Sequence, residues 1–234
     1  MKPTHPILLA VLTLSLPTLA FGAGTPFNGN DLDNWEVKQK STGANKWVVG
    51  QPALDAANPG AFMVKEGKGA FVNNVTGHGQ SWDIYSKDTW GSSRIEVEFM
   101  VAKGANSGVY VMGEYEVQIL DSHGKEKMGN GDMGAIYGAT PARVNACKKA
   151  GEWQKYVIDF KAPKYVAGKK VENARFIKVE LNGQVIQEDI EMKGPTPSGV
   201  TGQESATGPI MFQGDHGPVA FRNIKITPMS FDGK

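Results

Sequence analysis

The chain has 234 residues, with 25 Lys and Arg against 24 Asp and Glu and a formal net charge of +1 at pH 7. Its charges form no basic cluster, so the sequence lacks the signature of a nucleic-acid or anionic-membrane partner. Cys147 is the single cysteine, which excludes an intramolecular disulfide, so the stability of an exported form must come from its core.

The N-terminal segment is predicted to be a signal peptide over residues 1–22. Its apolar run at residues 7–16 is too short to span a bilayer, because a transmembrane helix needs about 20 apolar residues. Small residues follow this run, and cleavage is expected after Ala20 or Gly22. We therefore expect an exported protein, periplasmic or extracellular, with a single β-sandwich domain over residues 25–230.

Alternation of apolar and polar residues predicts short β-strands along the rest of the chain. The dipeptide Asn182-Gly183 favours a type I′ hairpin turn, whereas residues 194–208 carry no strand pattern and are predicted to form a long loop. No segment keeps a helical apolar period over three turns, so the chain is predicted to be an all-β, two-sheet sandwich. Besides the strand that contains Glu116, the predicted strands lie at residues 94–101, 109–112, 156–160, 176–181, 185–187, 209–213 and 219–226.

The segment from Gly113 to His123 reads as a β-strand with polar side chains on one face. Side chains alternate along a strand, so Glu116 and Gln118 point to the same side. Asp121 falls on the opposite side in a regular strand, and a β-bulge of one residue would return it beside them. The pattern indicates either two carboxylates and an amide gathered at a site or the exposed polar face of an ordinary strand.

Nine short segments, spread over about residues 26–228, follow one another in a specific order. Each is weak alone, but together they resemble the 3-keto-disaccharide hydrolase domain family. The segments lie at residues 27–35, 106–110, 115–121, 134–138, 151–154, 181–183, 208–213, 215–217 and 221–224.

This resemblance implies a concanavalin A-like jelly-roll sandwich with a carbohydrate cleft on its concave sheet. It also implies cleavage of 3-keto-glycosides or 3-keto-disaccharides, by hydrolysis or by elimination followed by hydration, with a divalent metal. The spacing at residues 116–121 is also similar to the Glu-x-Asp-x-x-Glu motif of laminarinase-type glucanases. Gln118 and Asp121 depart from that motif, which argues against a retaining mechanism with two carboxylates about 5–5.5 Å apart.

A ketone at C3 of the sugar acidifies the proton at C2, so a base can remove that proton and expel the substituent at C1. Glu116 or Asp121 is the candidate base, His216 is a further candidate catalytic residue, and Lys148 is a candidate for stabilising an oxyanion or protonating the leaving group. A divalent cation of unspecified identity would act as a Lewis acid. Its candidate ligands are Glu116, Gln118, Asp215 and His216.

The candidate substrate-binding residues each have an ordinary structural interpretation as well. They are Gln118, Asn106, Tyr137 and Glu98. Tyr137 either stacks on a sugar ring or packs in the core, and Glu98 either lines the cleft or belongs to a solvated strand face. Asn106 and Lys148 have loop interpretations, Asp215-His216-Gly217 reads either as a site or as a turn, and His78 is assigned to a turn.

Three hypotheses follow for the function of the chain. The first is an exported enzyme that cleaves 3-keto-glycosides and depends on a partner oxidoreductase to supply the oxidised sugar. The chain itself carries no dinucleotide fingerprint, so no nucleotide cofactor is expected. The second is a non-catalytic, lectin-like carbohydrate-binding module, and the third is a laminarinase-type hydrolase of unoxidised glucans.

Overall fold

The computed structural model describes residues 23–231, and every regular element in this range is a β-strand. Accordingly, no helix in the described range is long and apolar enough to cross a membrane. The signal peptide predicted for residues 1–22 lies outside the described residues. In chain order the strands are β1 (Trp35–Lys38), β2 (Trp47–Leu54), β3 (Phe62–Asn73), β4 (Asp83–Ser86), β5 (Ser93–Val101), β6 (Asn106–Val111), β7 (Tyr115–Leu120), β8 (Gln154–Lys161), β9 (Lys164–Val166), β10 (Lys169–Glu172), β11 (Ala174–Leu181), β12 (Gln184–Met192), β13 (Met211–Phe212) and β14 (Val219–Pro228).

Two antiparallel sheets form a sandwich, which confirms the fold predicted from the sequence. The five-stranded sheet has the order β1-β4-β13-β6-β7, and the seven-stranded sheet has the order β12-β11-β8-β5-β14-β3-β2. Strands β9 and β10 form a separate two-stranded ribbon. The chain crosses repeatedly between the sheets, so residues far apart in sequence become neighbours on one face.

The alternation in β5 shows how the sequence builds the seven-stranded sheet. Ile95, Val97 and Phe99 are buried against the other sheet, while Arg94 and Glu96 point outwards and are partly exposed. The period of two places every second side chain in the core. Arg94 and Glu96 each form an ion pair with a residue of the neighbouring strand β8 rather than contacts with the core.

Aromatic rings fill the interior between the two sheets. Phe212 of the five-stranded sheet stacks on Phe221 of the seven-stranded sheet, with ring centroids 4.1 Å apart. Phe71 contacts both rings, and Trp35 packs against Phe71 at 5.2 Å. These rings tie β1, β3, β13 and β14 together and fix the position of the five-stranded sheet, on which the candidate site is built.

The predicted strands are present, but the sequence pattern missed several others. β5 and β14 match their predicted ranges within two residues, whereas the strand predicted at residues 209–213 contracts to β13. No pattern indicated β3 or β10, because the middle of β3 and all of β10 are exposed and show no inward-outward alternation. Residues 194–208 contain no strand, as expected.

Candidate active site

The candidate site lies on the face of the five-stranded sheet that points away from the core, here called the outer face. Ile84, Val109 and Val117 point into the core, so their neighbours along each strand point outwards. Strand pairing aligns these outward residues into two rows. The first row is Glu36, Tyr85, Met211, Tyr110 and Glu116, and the second is Lys38, Asp83, Gln213, Gly108 and Gln118.

Glu116 is a buried carboxylate at the end of the first row. Only 3% of the residue is exposed, and its Oε2 accepts a hydrogen bond of 2.8 Å from the hydroxyl of Tyr110. Burial raises the pKa of Glu116 to about 7, although the hydrogen bond from Tyr110 and the nearby His216 oppose this rise. Glu116 can therefore take up or release a proton near neutral pH, as a general acid or base must.

The backbone of β6 leaves room for this carboxylate at Gly108. A Cβ added there would lie 2.2 Å from Oε1 of Glu116, well inside the distance at which atoms collide. Gly108 has no side chain, so Glu116 can lie flat across the neighbouring strand. A glycine at this position is therefore a steric requirement of the Glu116 conformation.

A chain of charged and polar side chains runs from the buried second row to the surface. Lys40 Nζ lies 2.9 Å from Asp83 Oδ2 and 2.6 Å from Asp215 Oδ2. The other carboxylate oxygen of Asp215 contacts Nδ1 of His216. Nε2 of His216 in turn lies 2.9 Å from Nε2 of His78. Five residues from three separate parts of the sequence thus form one connected network.

The two carboxylates of this network differ in their electrostatics. Burial raises the pKa of Asp83, and the positive charge of Lys40 opposes the rise. Burial acts in the same direction on Asp215, but hydrogen bonds from His216 and Lys40 outweigh it and lower the pKa of Asp215 to about 2. Asp215 is therefore ionised at neutral pH and orients the imidazole of His216 through Nδ1.

His78, Asp215 and His216 could hold a divalent metal ion. One donor atom from each residue lies within 4.8 Å of the others. Two imidazoles and a carboxylate are ligands that suit zinc and other first-row transition metals. The contact between Asp215 and Nδ1 leaves Nε2 of His216 directed at Nε2 of His78, which matches the carboxylate–histidine arrangement around bound metals. The donor set therefore fits a metal.

A long loop closes over the outer face beside Glu116. The carboxylate of Glu114 accepts hydrogen bonds from the backbone N–H groups of Thr201 and Gly202, at 2.7 and 2.9 Å, and from the Thr201 hydroxyl at 2.8 Å. Thr196 Oγ1 accepts from the N–H of Glu116 at 3.1 Å and donates to the carbonyl of Glu114 at 2.9 Å. Residues 196–202 are thus fixed at both ends and shield Glu116 from water.

The charged Lys38 adds a third attachment to this loop. Its Nζ donates to the carbonyls of Ser198 and Gly199, at 2.7 and 2.5 Å. Burial lowers the pKa of Lys38, while the neighbouring carboxylates, Asp83 first among them, oppose that change. The second row of the outer face is therefore also connected to the loop.

Residues 134–137 cover the free edge of β7 on the other side of Glu116. The N–H of Gln118 donates to the carbonyl of Ala135 at 2.9 Å, and the N–H of Tyr137 donates to the carbonyl of Glu116 at 3.1 Å. This pairing extends the first row by one residue, so Tyr137 lies beside Glu116 on the outer face. Its side chain is 39% exposed, in contrast to the buried Tyr110.

Four of the residues singled out from the sequence share the outer face, and His216 lies beside them. Gln118 donates to the carbonyl of Gly131 at 3.1 Å and so holds the loop that precedes the edge segment. Asn106 lies at the start of β6, and its buried Oδ1 has no hydrogen-bond partner among residues 23–231. The four residues on this face are Glu116, Gln118, Asn106 and Tyr137.

Asp121, Lys148 and Glu98 do not join this group. The β-bulge predicted before Asp121 is absent, because the pairing of β6 with β7 continues without a register shift. The Asp121 carboxylate instead accepts from the N–H of Gly104 at 2.9 Å. Its placement beside Glu116 was therefore a wrong prediction.

Glu98 and Lys148 lie on the opposite side of the molecule, by the outward face of the seven-stranded sheet. Glu98 forms an ion pair of 2.7 Å with Arg222, and Lys148 Nζ donates to the carbonyl of Trp153 at 3.1 Å. The alternation that places Phe99 in the core directs Glu98 away from the five-stranded sheet. Neither residue can contact a substrate bound near Glu116.

Sequence reasoning overlooked several residues that the fold brings to the site. Lys40, Asp83 and Glu114 were not singled out, and His78 was assigned to a turn. His78 lies 138 positions from His216, and no local pattern links the two. Tyr110 carried a readable signal, because it belongs to the predicted strand at residues 109–112 that precedes the Glu116 strand.

Comparison with known proteins places the chain among carbohydrate-active relatives. The family described as the 3-keto-alpha-glucoside-1,2-lyase-like domain matches residues 22–227. A 3-keto-disaccharide hydrolase of Bacteroides thetaiotaomicron is 24% identical over 186 residues, covering 69% of this chain. The chain spans 60% of the length of that curated relative.

Solved structures show the same architecture. A candidate glycosyl hydrolase from Parabacteroides distasonis is 30% identical, with a TM-score of 0.63 over 88% of this chain and 84% of the other. A second candidate glycosyl hydrolase from that organism is 18% identical, with a TM-score of 0.60 over 89% of this chain and 94% of the other. At 18% identity, the second structure shows only that the two chains share a fold.

Proposed function

The chain belongs to the 3-keto-alpha-glucoside-1,2-lyase-like domain family, and we propose that it is an exported enzyme that cleaves the glycosidic bond of 3-keto-glycosides. The observation that carries this proposal is the buried Glu116, whose pKa of about 7 suits proton transfer, close to His216. A module that only binds sugar needs no such group. The similarity to a 3-keto-disaccharide hydrolase supports the choice of substrate.

In the proposed reaction, Glu116 acts on the proton at C2 of the 3-keto sugar. The Glu116 carboxylate takes this proton, the electron pair of the C2–H bond forms a C1–C2 double bond, and the C1–O bond to the leaving group breaks. The protonated Glu116 can then return the proton to the departing oxygen. Addition of water to the unsaturated sugar completes the net hydrolysis.

The remaining residues of the site bind and orient the sugar. We propose that Asn106, at the start of β6 on the outer face, contacts the sugar through its side-chain amide. Lys40 holds Asp215, which in turn fixes the ring of His216. The loop at residues 196–202 excludes water from Glu116 and so maintains its raised pKa.

A divalent metal would be held by His78 and His216, with Asp215 as a further ligand or as the partner of His216. When bound, it would supply Lewis-acid stabilisation of negative charge that develops on the C3 oxygen. The contact of Asp215 with Nδ1 orients His216, so that its Nε2 can act as a metal ligand.

The substrate must be oxidised at C3 before this enzyme can act. We infer that a separate oxidoreductase supplies the 3-keto sugar, because the chain has no dinucleotide fingerprint of its own. We also propose that the reaction takes place in the periplasm or outside the cell, following the predicted signal peptide at residues 1–22.

The deciding experiment compares a 3-keto-glucoside with the unoxidised glucoside, each with and without a chelator. Cleavage of the keto sugar alone is expected, and its loss with chelator would support the metal. Cleavage of the plain glucoside would favour a conventional hydrolase. Binding of either sugar with no cleavage would replace the proposal with a lectin-like module.

A further inference from the structure

Gln213 lies in the second row of the outer face, immediately after β13. Only 8% of the residue is exposed, and its side chain points outwards because the preceding Phe212 points into the core. Its backbone N–H donates to the carbonyl of Gly108 at 3.1 Å, and its carbonyl accepts from the hydroxyl of Ser107 at 2.7 Å. The side-chain amide, in contrast, has no hydrogen-bond partner within residues 23–231.

The other polar side chains of the second row are all bound to groups of the protein. Lys38 and Gln118 donate to backbone carbonyls of neighbouring loops. Asp83 forms an ion pair of 2.9 Å with Lys40. The amide of Gln213 is not one of the sealed, unpartnered polar atoms in the described part of the chain, so it reaches the surface of the outer face. This amide is therefore free to bind a ligand.

Gln213 lies between Glu116 and the network that contains His216. On one side it pairs with Gly108, and Oε1 of Glu116 lies over that glycine, 2.2 Å from the position of an added Cβ. On the other side its strand neighbour is Asp83, which belongs to the network. Adjacent strands are about 4.8 Å apart. The charges of Asp83 and His216 both act on the Glu116 carboxylate. A sugar bound between Glu116 and His216 therefore lies within reach of the Gln213 amide.

The backbone around Gln213 is held in place before any ligand binds. The N–H of the next residue, Gly214, donates to Oδ1 of Asp83 at 3.0 Å, and the carbonyl of Gly214 accepts from the side chain of Asn73. A Cβ added to Gly214 would lie 2.2 Å from the carbonyl oxygen of Trp82, so the segment is packed closely against its neighbours. A donor on such a rigid segment needs little reorganisation when charge develops next to it.

We propose that Gln213 is a further catalytic residue, whose side-chain N–H donates a hydrogen bond to the C3 oxygen of the 3-keto sugar. This inference rests on the proposed function, because that reaction places negative charge on the C3 oxygen. When Glu116 takes the proton from C2, the electron pair of the C2–H bond is shared with the adjacent C3 carbonyl before the C1–O bond breaks. The hydrogen bond from Gln213 strengthens as the oxygen gains charge, and no proton leaves the amide.

The test compares kcat and KM of the wild type and Gln213→Met for a 3-keto-glucoside, with the metal-loaded enzyme. Met keeps the length of the side chain and has no hydrogen-bond donor, and an unchanged Tm would show that the fold is kept. We expect kcat to fall about 10²–10³-fold and KM to change far less. Gln184→Met is the matched control, because Gln184 is exposed on β12 of the other sheet, and it should leave both parameters unchanged.

Calorimetry in the inactive Glu116→Gln background measures binding of the uncleaved 3-keto-glucoside. Adding Gln213→Met to this background should weaken binding much less than Gln213→Met lowers kcat. A loss of binding as large as the loss of kcat would overturn the catalytic role, because Gln213 would then bind substrate and transition state equally. Wild-type kcat in Gln213→Met would overturn this inference alone. A wild-type protein that binds the keto sugar without cleaving it would overturn the proposed function, and this inference with it.

Discussion

Nε2 of His78 lies 2.9 Å from Nε2 of His216, although 138 positions separate the two residues in the chain. At that distance the N–H of one imidazole donates a hydrogen bond to the ring nitrogen of the other. Asp215 occupies the other nitrogen of His216, so the pair presents two nitrogen donors to the same point. The pair therefore offers two nitrogen ligands to the metal that we propose for this site.

Loss of either imidazole should abolish metal binding. We expect His78→Ala and His216→Ala to abolish Co²⁺ binding in calorimetry, and Asp215→Asn to weaken it about 10–100-fold by removing the partner of His216. His123→Ala is the control, because His123 contacts the carbonyl of Cys147 elsewhere in the molecule. Unchanged affinity in His78→Ala would remove the proposed metal centre.

Replacing Glu116 by Gln should strongly reduce turnover while stabilising the protein at high pH. Burial raises the pKa of Glu116 from 4.5 to about 7, so folding favours the protonated form. The resulting stability is fully present below pH 4.5 and is lost as the pH rises through 7, by about 3 kcal/mol. Glu116→Gln carries no charge and avoids this loss.

Thermal denaturation at pH 5 and pH 8, without added metal, checks this expectation. The Tm of Glu116→Gln should exceed that of the wild type by more at pH 8 than at pH 5. Turnover of a 3-keto-glucoside should fall by about 10²–10⁴-fold at both pH values. If the Tm of the wild type and that of Glu116→Gln change equally between pH 5 and pH 8, the pKa of Glu116 is not raised.

Glu114 should control the order of the loop at residues 196–202. Its carboxylate accepts three hydrogen bonds from Thr201 and Gly202 while buried, so Glu114→Ala should cost about 1–3 kcal/mol of stability. Limited proteolysis should then cut within the loop. Glu188→Ala removes an exposed ion pair with Arg143 and should change stability by less than about 1 kcal/mol. Equal resistance of both variants to proteolysis would contradict this role.

Gly108→Ala should disturb Glu116 directly, because the three atoms nearest to the new Cβ all belong to the Glu116 side chain. The new Cβ would lie 2.2 Å from Oε1 of Glu116, so the carboxylate must move. We expect a loss of about 1–3 kcal/mol of stability and a larger fall in kcat than in substrate affinity. Gly194→Ala has open space around it and is the matched control. Wild-type kcat in Gly108→Ala would show that Glu116 need not occupy its present position.

The local sequence pattern determined which strands have one buried face. It also determined which side chains of a single strand point to the same side. The alternation in β5 and β7 follows from the period of two, and that same period correctly placed Glu116 and Gln118 on one face. It could not foresee that β7 would end without a bulge, so the position of Asp121 was wrong. Nor does alternation say which sheet a strand joins, and Glu98 consequently lies on the opposite side of the molecule from Glu116.

Only the tertiary structure decided which residues meet at the site. Lys40, His78 and Asp215 come from loops whose sequences carry no periodic signal, and the network forms because the order β1-β4-β13-β6-β7 brings those loops to one end of a sheet. Non-local pairing of this kind depends on the packing of both sheets around Phe212 and Phe221. The raised pKa of Glu116 likewise arises from burial under residues 196–202, which no property of its own strand encodes.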